Sequence, residues 1–350
     1  MTRLHIVVPA DIDDPRRPSG GNRYDRRVCQ ELAAMGLALA MHRVPGDWPH
    51  PDASACAVLA AAMDAIPDNA AVIVDGLIGS AADTVLVPRA GRLRQAMLVH
   101  MPLGQDGDTE TRAREAAVLA SAAAVVVTSD WSRRLLTELY GLPPGRVQVA
   151  KPGVDAAPIA AGTETGGELL CVATVTRGKG HDVLVAALAS IAALGWSCTC
   201  VGSRDRDPGF AAALGTAVVD AGLHGRVRFA GACSDAELEA MLRSADLLVH
   251  PSRAETYGMA VAEALAHGLP VVASDVGGVP EAVGSVSSGP PGLLVPPGDV
   301  AALAGALRSW LEDAGLRSRL RTAAMERRAG LRPWSEMAVA LAQACGVAAR

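Results

Sequence analysis

Two carboxylates eight residues apart, Glu255 and Glu263, frame a helix start in the stretch Leu247–Val283, LLVHPSRAETYGMAVAEALAHGLPVVASDVGGVPEAV. A buried strand ends at His250, the loop Pro251–Gly258 carries Glu255, and a helix beginning near Gly258 carries Glu263 in its second turn. Such a helix start offers free backbone N–H groups and the positive end of a dipole, which suits a phosphate. Gly258 lets the backbone come close to a ligand. One carboxylate can then hold sugar hydroxyls and the other a ribose. Two isolated glutamates would read as a solvated helix face. The strand–loop–Gly–helix frame and the Gly-Gly-x-Pro-Glu that follows favour a site.

A second motif, VATVTRGKGHDVLVAAL (Val172–Leu188), is a strand, a short basic loop and a helix from about Gly180. Lys179 and Arg177 put positive charge at that helix N-terminus, where a departing diphosphate would need it. Lysine occurs only at Lys151 and Lys179; arginine carries the remaining basic charge.

A third motif, Pro18-Ser19-Gly20-Gly21-Asn22-Arg23-Tyr24, follows the first strand. Gly20 and Gly21 would open the first helix toward a diphosphate or an acceptor, with Asn22 and Tyr24 as acceptor contacts. Arg16, Arg17, Arg23, Arg26 and Arg27 surround this loop, where they can face an anion or simply balance Asp11, Asp13, Asp14 and Asp25 on a solvated face. His100 closes the strand QAMLVH, and Asp75 closes VIVD; both are strand-end positions that can touch sugar or acceptor. His181 and His250 read as structural. No His/Cys/Asp group shows metal-ligand spacing along the chain, and Cys198-x-Cys200 points one way along a strand into the core, so no metal is expected. Gly-x-Ser-x-Gly and Gly-Lys-Ser/Thr patterns are absent.

These residues sit at the ends of short apolar runs that alternate with helical patterns. Strands are predicted over Leu4–Pro9, Leu37–Val44, Ala70–Asp75, Gln95–His100 and Ala123–Thr128, with a helix over Gly21–Met35. Continuous apolar strands between helices imply a parallel sheet covered on both faces. Lys151–Gly167, rich in Pro, Gly, Ala and Thr, reads as a linker. The pattern then restarts, with strands at Leu169–Val175, Ser197–Val201, Val227–Ala230, Leu247–His250 and Val271–Ser274 and helices at His181–Leu194, Asp235–Leu242 and Met259–His267. Helices Val300–Glu312 and Ala314–Arg328 and a segment Pro333–Cys345 follow. Two such units are what 350 residues lead one to expect. In doubly wound sheets ligands bind at the carboxyl ends of strands where the order reverses.

Composition excludes several classes. A net charge of −5 argues against a nucleic-acid binder, and 50% hydrophobic residues against a disordered chain. Aromatics are 3%, so the cores are built from Ala, Val and Leu. Seven cysteines without a Cys-x-x-Cys pair fit a reduced, cytoplasmic compartment. The N-terminal apolar stretch is too short for a signal peptide, and no run reaches the ~18 apolar residues of a membrane span, so stable membrane insertion is not expected.

The Glu-x7-Glu region resembles the signature of the retaining GT-B glycosyltransferases of family 4, the glycosyl transferases group 1. The N-terminal Gly-Gly loop, VTSDWSRRLLTELYG, Gly153-Val154-Asp155 and the Lys-Gly-His-Asp helix start extend the resemblance over nearly the whole chain. It implies an α/β GT-B fold, two Rossmann-like doubly wound domains facing across a cleft. Residues 1–155 would bind the acceptor, 156–330 the nucleotide sugar, and a helix in 331–350 would cross back to the first domain. It further implies transfer of a sugar from a nucleoside diphosphate, UDP first and GDP next, to a small soluble acceptor, without a metal or other cofactor. Glu255 would lie near the donor sugar, Glu263 on the ribose, the backbone of Gly258, Met259 and Ala260 on the phosphates, and His100 beside the transferred sugar. Lys179 matches the family lysine that clamps the diphosphate. The usual Gly-Arg pair is replaced by Ala173-Thr174, so Arg177 would supply that charge from a shifted position. A sugar phosphorylase, a nucleotide-sugar epimerase or a nucleotide-sugar binder without turnover are the alternatives on the same fold. A nicotinamide enzyme is disfavoured, since no Gly-x-Gly-x-x-Gly turn follows the first strand.

Overall fold

The computed structural model describes residues 3–14, 19–105 and 107–347. Arg16, Arg17 and Pro18 of the basic loop lie outside the described residues. The chain divides into two compact units: residues up to Asp14, Gly20–Gly153 and the segment from Trp334 form the first, and Val154–Pro333 lie in the second.

The first unit begins β1 (Leu4–Pro9), α1 (Gly20–Ala34), β2 (Leu39–Val44), α2 (Ala53–Asp64) and β3 (Ala71–Asp75). It continues through α3 (Gly76–Gly79), α4 (Asp83–Leu86), β4 (Arg94–Val99), α5 (Thr109–Ser121), β5 (Ala124–Val127), α6 (Asp130–Tyr140) and β6 (Val147–Val149). Six parallel strands run in the order β2-β1-β3-β4-β5-β6. β3 and β5 are buried along their whole length, as the unbroken apolar runs require of strands covered on both faces. β2 starts two residues later than the apolar pattern suggests. Gly36, at φ 80°, ends α1 in a left-handed turn that takes up Leu37, whose N–H bonds back to Leu32.

The second unit holds β7 (Glu168–Val172), α7 (His181–Ser190), β8 (Ser197–Val201), α8 (Pro208–Asp220), β9 (Val227–Gly231) and α9 (Asp235–Ser244). Then come β10 (Leu247–His250), α10 (Met259–Ala266), β11 (Val271–Ser274), α11 (Val279–Val283), β12 (Gly292–Val295), α12 (Val300–Glu312) and α13 (Ala314–Ala329). Its strand order is β12-β11-β10-β7-β8-β9, so the winding direction reverses between β7 and β10. In the first unit the reversal lies between β1 and β3. Each reversal opens a crevice at the carboxyl ends of the flanking strands.

The segment read as a linker is pinned to the second unit. Thr163 donates through N–H and hydroxyl to the fully buried Asp246, Ala160 N–H bonds to His267, and the indole of Trp310 donates to Gly166 O at 2.7 Å. The last helix, α14 (Trp334–Ala344), belongs to the first unit and packs on α1, with the Trp334 ring edge-on to Tyr24 at 5.9 Å. Among the described residues no helix is long and apolar enough to cross a membrane.

Candidate active site

At the reversal in the second unit, β7 delivers the loop with Lys179 and β10 delivers the loop with Glu255. The two loops are pressed together. A Cβ at Gly180, which sits at φ 69°, would stand 2.0 Å from Pro251 O, so only glycine fits there. A Cβ at Gly277, at φ 59°, would fall 1.7 Å from Glu255 O, which places the Gly277-Gly278 turn directly on the Glu255 backbone.

The close packing puts Lys179 Nζ 2.6 Å from Glu255 Oε2, with His250 Nε2 3.2 Å from the same oxygen. No described residue donates to Oε1. Burial alone would raise the Glu255 pKa, but Lys179 and His250 outweigh it and bring it down to about 2. The carboxylate is therefore ionised at neutral pH. Ser252 Oγ lies 3.3 Å from His250 Nε2. Three residues on from Glu255, Gly258 adopts φ 99° and starts α10, whose first-turn N–H groups at Met259 and Ala260 emerge beside that loop. Glu263 lies half-buried one turn further along α10.

Arg177 is not on this carboxylate. Its guanidinium lies over the Phe210 ring, 5.2 Å from the centroid. The arginine that organises the loop is Arg253, which the sequence reading passed over. It holds both Asp182 oxygens at 2.7 and 2.8 Å, donates to Arg177 O at 2.8 Å, and bonds through its own N–H to Gly178 O. Two loops and the start of α7 are thus stapled by one side chain.

The first unit assembles a separate group at its own reversal. His100 Nε2 lies 2.7 Å from Asp25 Oδ1 and 3.5 Å from Asp75 Oδ2. Asp75 also caps α3, accepting from Leu77 N–H. Burial pulls the His100 pKa down, but Asp25 and Asp75 more than offset it and leave it raised. Asp75 is raised by its burial and by the negative charge of Asp25, against the opposing pull of His100. Gly21 brings α1 onto this imidazole, since a Cβ there would meet His100 Cδ2 at 3.4 Å. Gly20 and Gly21 are the first residues of that helix.

Asn22 and Tyr24 are both buried. The Tyr24 hydroxyl is spent on Ala150 O at 2.8 Å, and its ring stands edge-on to His100 at 5.0 Å. Tyr24 thus supports His100 from behind and offers no hydroxyl to a ligand. Asp25 was hidden among the acidic residues of a supposedly solvated face. The available signal was its spacing of four from Gly21, which puts both on one side of α1. His250 departs from its structural reading by touching Glu255, and its place at a strand end five residues before that glutamate was the clue.

The fold also brings together ligand types that are scattered along the chain. Asp25, Asp75 and His100 form one group, and Cys171, His181 and Cys200 another, each with its ligand atoms within 4.8 Å of one another.

Residues 166–313 match the family model described as glycosyl transferases group 1. A D-inositol 3-phosphate glycosyltransferase of Catenulispora acidiphila is 34% identical over 256 residues, covering 67% of this chain and 60% of the relative. A glycogen synthase of Mycobacterium tuberculosis is 35% identical over 218 residues, covering 59% and 50%. The chain therefore spans only half to three-fifths of the length of these two relatives. Among solved structures, sucrose-phosphate synthase of Thermosynechococcus elongatus superposes with a TM-score of 0.79 at 22% identity, covering 98% of each chain. Anabaena HepE, solved with UDP and glucose, gives 0.75 at 17% identity, covering 99% of this chain and 100% of that one. These neighbours share the GT-B fold. Residues 166–313 thus carry the glycosyl transferases group 1 family's sequence pattern, and the chain is similar to members of that family.

Proposed function

We propose that the chain is a retaining glycosyltransferase that moves a sugar from a nucleoside-diphosphate sugar to a hydroxyl of a small soluble acceptor. The observation that carries this reading is the Lys179–Glu255 pair at the β7/β10 reversal, beside the start of α10. Lys179 leaves Glu255 for the diphosphate and counters the charge that grows there as the glycosidic bond breaks. Glu255 stays anchored through Oε2 to His250 and turns Oε1 to the sugar hydroxyls. Glu263 holds the ribose, and the N–H groups after Gly258 receive the phosphates. The anomeric C–O bond to the diphosphate breaks, the acceptor oxygen bonds to that carbon on the same face, and its proton passes to the departing phosphate oxygen. His100, held by Asp25 and Asp75, contacts the transferred sugar or the acceptor. None of these steps uses a metal.

UDP is the first donor nucleotide to test, supported by the UDP complexes of Anabaena HepE, and GDP the second. A cyclitol or its phosphate is the first acceptor to test, supported by the names of the inositol phosphate relatives. The seven free cysteines fit a cytoplasmic setting.

The test is to incubate the chain with UDP-, GDP- and ADP-glucose, each with and without inositol acceptors, and to follow the anomeric proton by NMR. An α-linked product from an α-donor, lost in Lys179→Ala, supports the reading. A β-linked product overturns retention. An epimerised donor without acceptor, or sugar phosphate release by inorganic phosphate, moves the chain to the alternatives. Nucleotide affinity unchanged in Lys179→Ala removes the site.

A further inference from the structure

Behind the loop that carries Lys179, three soft side chains converge in the interior of the second unit. Cys171 on β7 and Cys200 on β8 are register partners on adjacent parallel strands, so their sulfurs leave the sheet on the same side. His181, the first residue of α7, brings Nε2 to 3.8 Å from Cys171 Sγ. All three ligand atoms lie within 4.8 Å of one another, and none of the three residues is more than 1% exposed. His181 Nδ1 is buried with no hydrogen-bond partner, so a long thiol contact is all that holds a polar ring in an apolar core. A core that needed only volume would be filled more cheaply by a leucine.

We propose that Cys171, His181 and Cys200 form a binding site for a thiophilic transition-metal ion, Zn2+ in the first place. The donor set is two sulfurs and one imidazole nitrogen with no oxygen, which disfavours Mg2+ and Ca2+. Zinc–ligand bonds of about 2.3 Å to sulfur and 2.0 Å to nitrogen subtend tetrahedral edges of roughly 3.5–3.8 Å. The sulfur–nitrogen edge is the shorter of these, and the 3.8 Å contact between Cys171 and His181 stands about 0.3 Å above it. Binding replaces the two thiol protons, which leave to solvent, and forms two zinc–sulfur bonds and one zinc–nitrogen bond without redox change. Two thiolates cancel the divalent charge, so the loaded centre brings no net charge into the core. Cys198 lies two residues earlier on the same face of β8, outside the group of three, so the fourth position is left to solvent or an exogenous ligand. The ion would tie β7, β8 and the first turn of α7 together, two residues after Lys179. The site uses none of the donor-binding residues and stands whether or not the chain transfers sugars.

The test uses Co2+ as a spectroscopic probe on the purified, chelator-treated full chain. One Co2+ per chain should produce a thiolate-to-metal charge-transfer band and the visible d–d bands of tetrahedral cobalt, both bleached by Zn2+. Cys171→Ala and Cys200→Ala should lose the bands, while Cys345→Ala, a buried thiol in the first unit, should keep them. As a control that does not depend on the folding of core variants, the parent chain is also melted with Zn2+ and with chelator. A rise of several degrees with Zn2+ is expected. Absence of d–d bands at one equivalent, their survival in the Cys171→Ala/Cys200→Ala double variant, or an unchanged melting temperature would overturn the site.

Discussion

Lys179 and Glu255, separated by 76 positions in the chain, meet at 2.6 Å, and His250 reaches the same carboxylate oxygen. Without ligand the ammonium rests on Glu255. If the proposed donor site is right, a diphosphate would compete with that carboxylate for the cation, and His250 would keep Glu255 in place as Lys179 turns away. On the proposed reading, the pair would link occupancy of the phosphate position to the freedom of the carboxylate that faces the sugar.

That competition separates two variants. Lys179→Ala should lower kcat by about 10²–10³-fold, as removal of a charge-stabilising group does. It should also cost about 1–2 kcal/mol of stability, a modest figure because Lys179 is partly exposed. Glu255→Gln should lose turnover as well, yet bind UDP alone roughly threefold to tenfold more tightly, since Lys179 is released. Calorimetry with UDP decides the point: weaker UDP binding in Glu255→Gln means the pair does not compete with phosphate.

The same pair makes an acid-stability prediction. Glu255 has a pKa of about 2 in the native chain against 4.5 ordinarily, so its contribution is fully present above about pH 4.5 and lost as pH falls toward 2. The full shift corresponds to about 3 kcal/mol. Urea unfolding between about pH 3 and pH 6 should therefore be steeper with pH in the parent than in Glu255→Gln. Equal slopes would show that the carboxylate is not held by Lys179.

His250 should separate by its donor group. His250→Gln keeps an N–H for Glu255 Oε2 and is expected to retain most of kcat/KM for the donor. His250→Phe fills the space without a donor and should lose about tenfold, with the acid limb of the pH–rate profile moving up as Glu255 loses one of the partners that hold its pKa low. A profile that stays put in His250→Phe would reduce the histidine to packing.

The legible part of this architecture is what lies close in sequence. Lys179 and Glu255 could be found because each follows an apolar run that becomes a central strand, β7 or β10, and each precedes a helix start. Arg253 could not, because its meaning lies in Asp182, 71 residues away, and in two backbone carbonyls that no side-chain pattern records. Tyr24 looked free to meet a ligand because the sequence does not tell that α14, more than three hundred residues later, packs on α1 and puts Trp334 against its ring. The scattered thiols looked like plain core for the same reason: pairing of β7 with β8 sets Cys171 beside Cys200.

Arg253→Ala should act on the donor more than on the fold. Its pair with Asp182 is well exposed on both sides, so stability should change by less than about 1 kcal/mol. The loop that bears Lys179 loses its side-chain ties to the Glu255 loop and keeps the backbone bond to Gly178 O, and KM for the donor should rise about fivefold to twentyfold with kcat changed far less. Steady-state kinetics read this directly; a fall in kcat with KM unchanged would mean that the staple orients the transition state.

Asp25→Asn tests the first unit. His100 has a raised pKa, so its ionic contribution is fully present below its ordinary value of 6.5 and is lost as pH climbs through the native one. Asp75 is raised too, so the folded chain grips that proton more tightly than the unfolded chain, and its ionisation also erodes stability as pH climbs. Both groups therefore make the parent weaker on the alkaline side, and both owe part of their shift to the charge of Asp25. An amide at position 25 keeps the shape and removes that charge. Burial then acts on His100 with Asp75 as its remaining anion, so its pKa falls, and Asp75 is relieved of its repulsive neighbour. The variant should be weaker than the parent by about 2 kcal/mol near pH 6 and show a flatter decline toward pH 9. The His100 ring proton, followed by NMR, should titrate at lower pH than in the parent. If His100 in the parent titrates at its ordinary value, Asp25 is a neighbour of the imidazole and not the group that sets its charge.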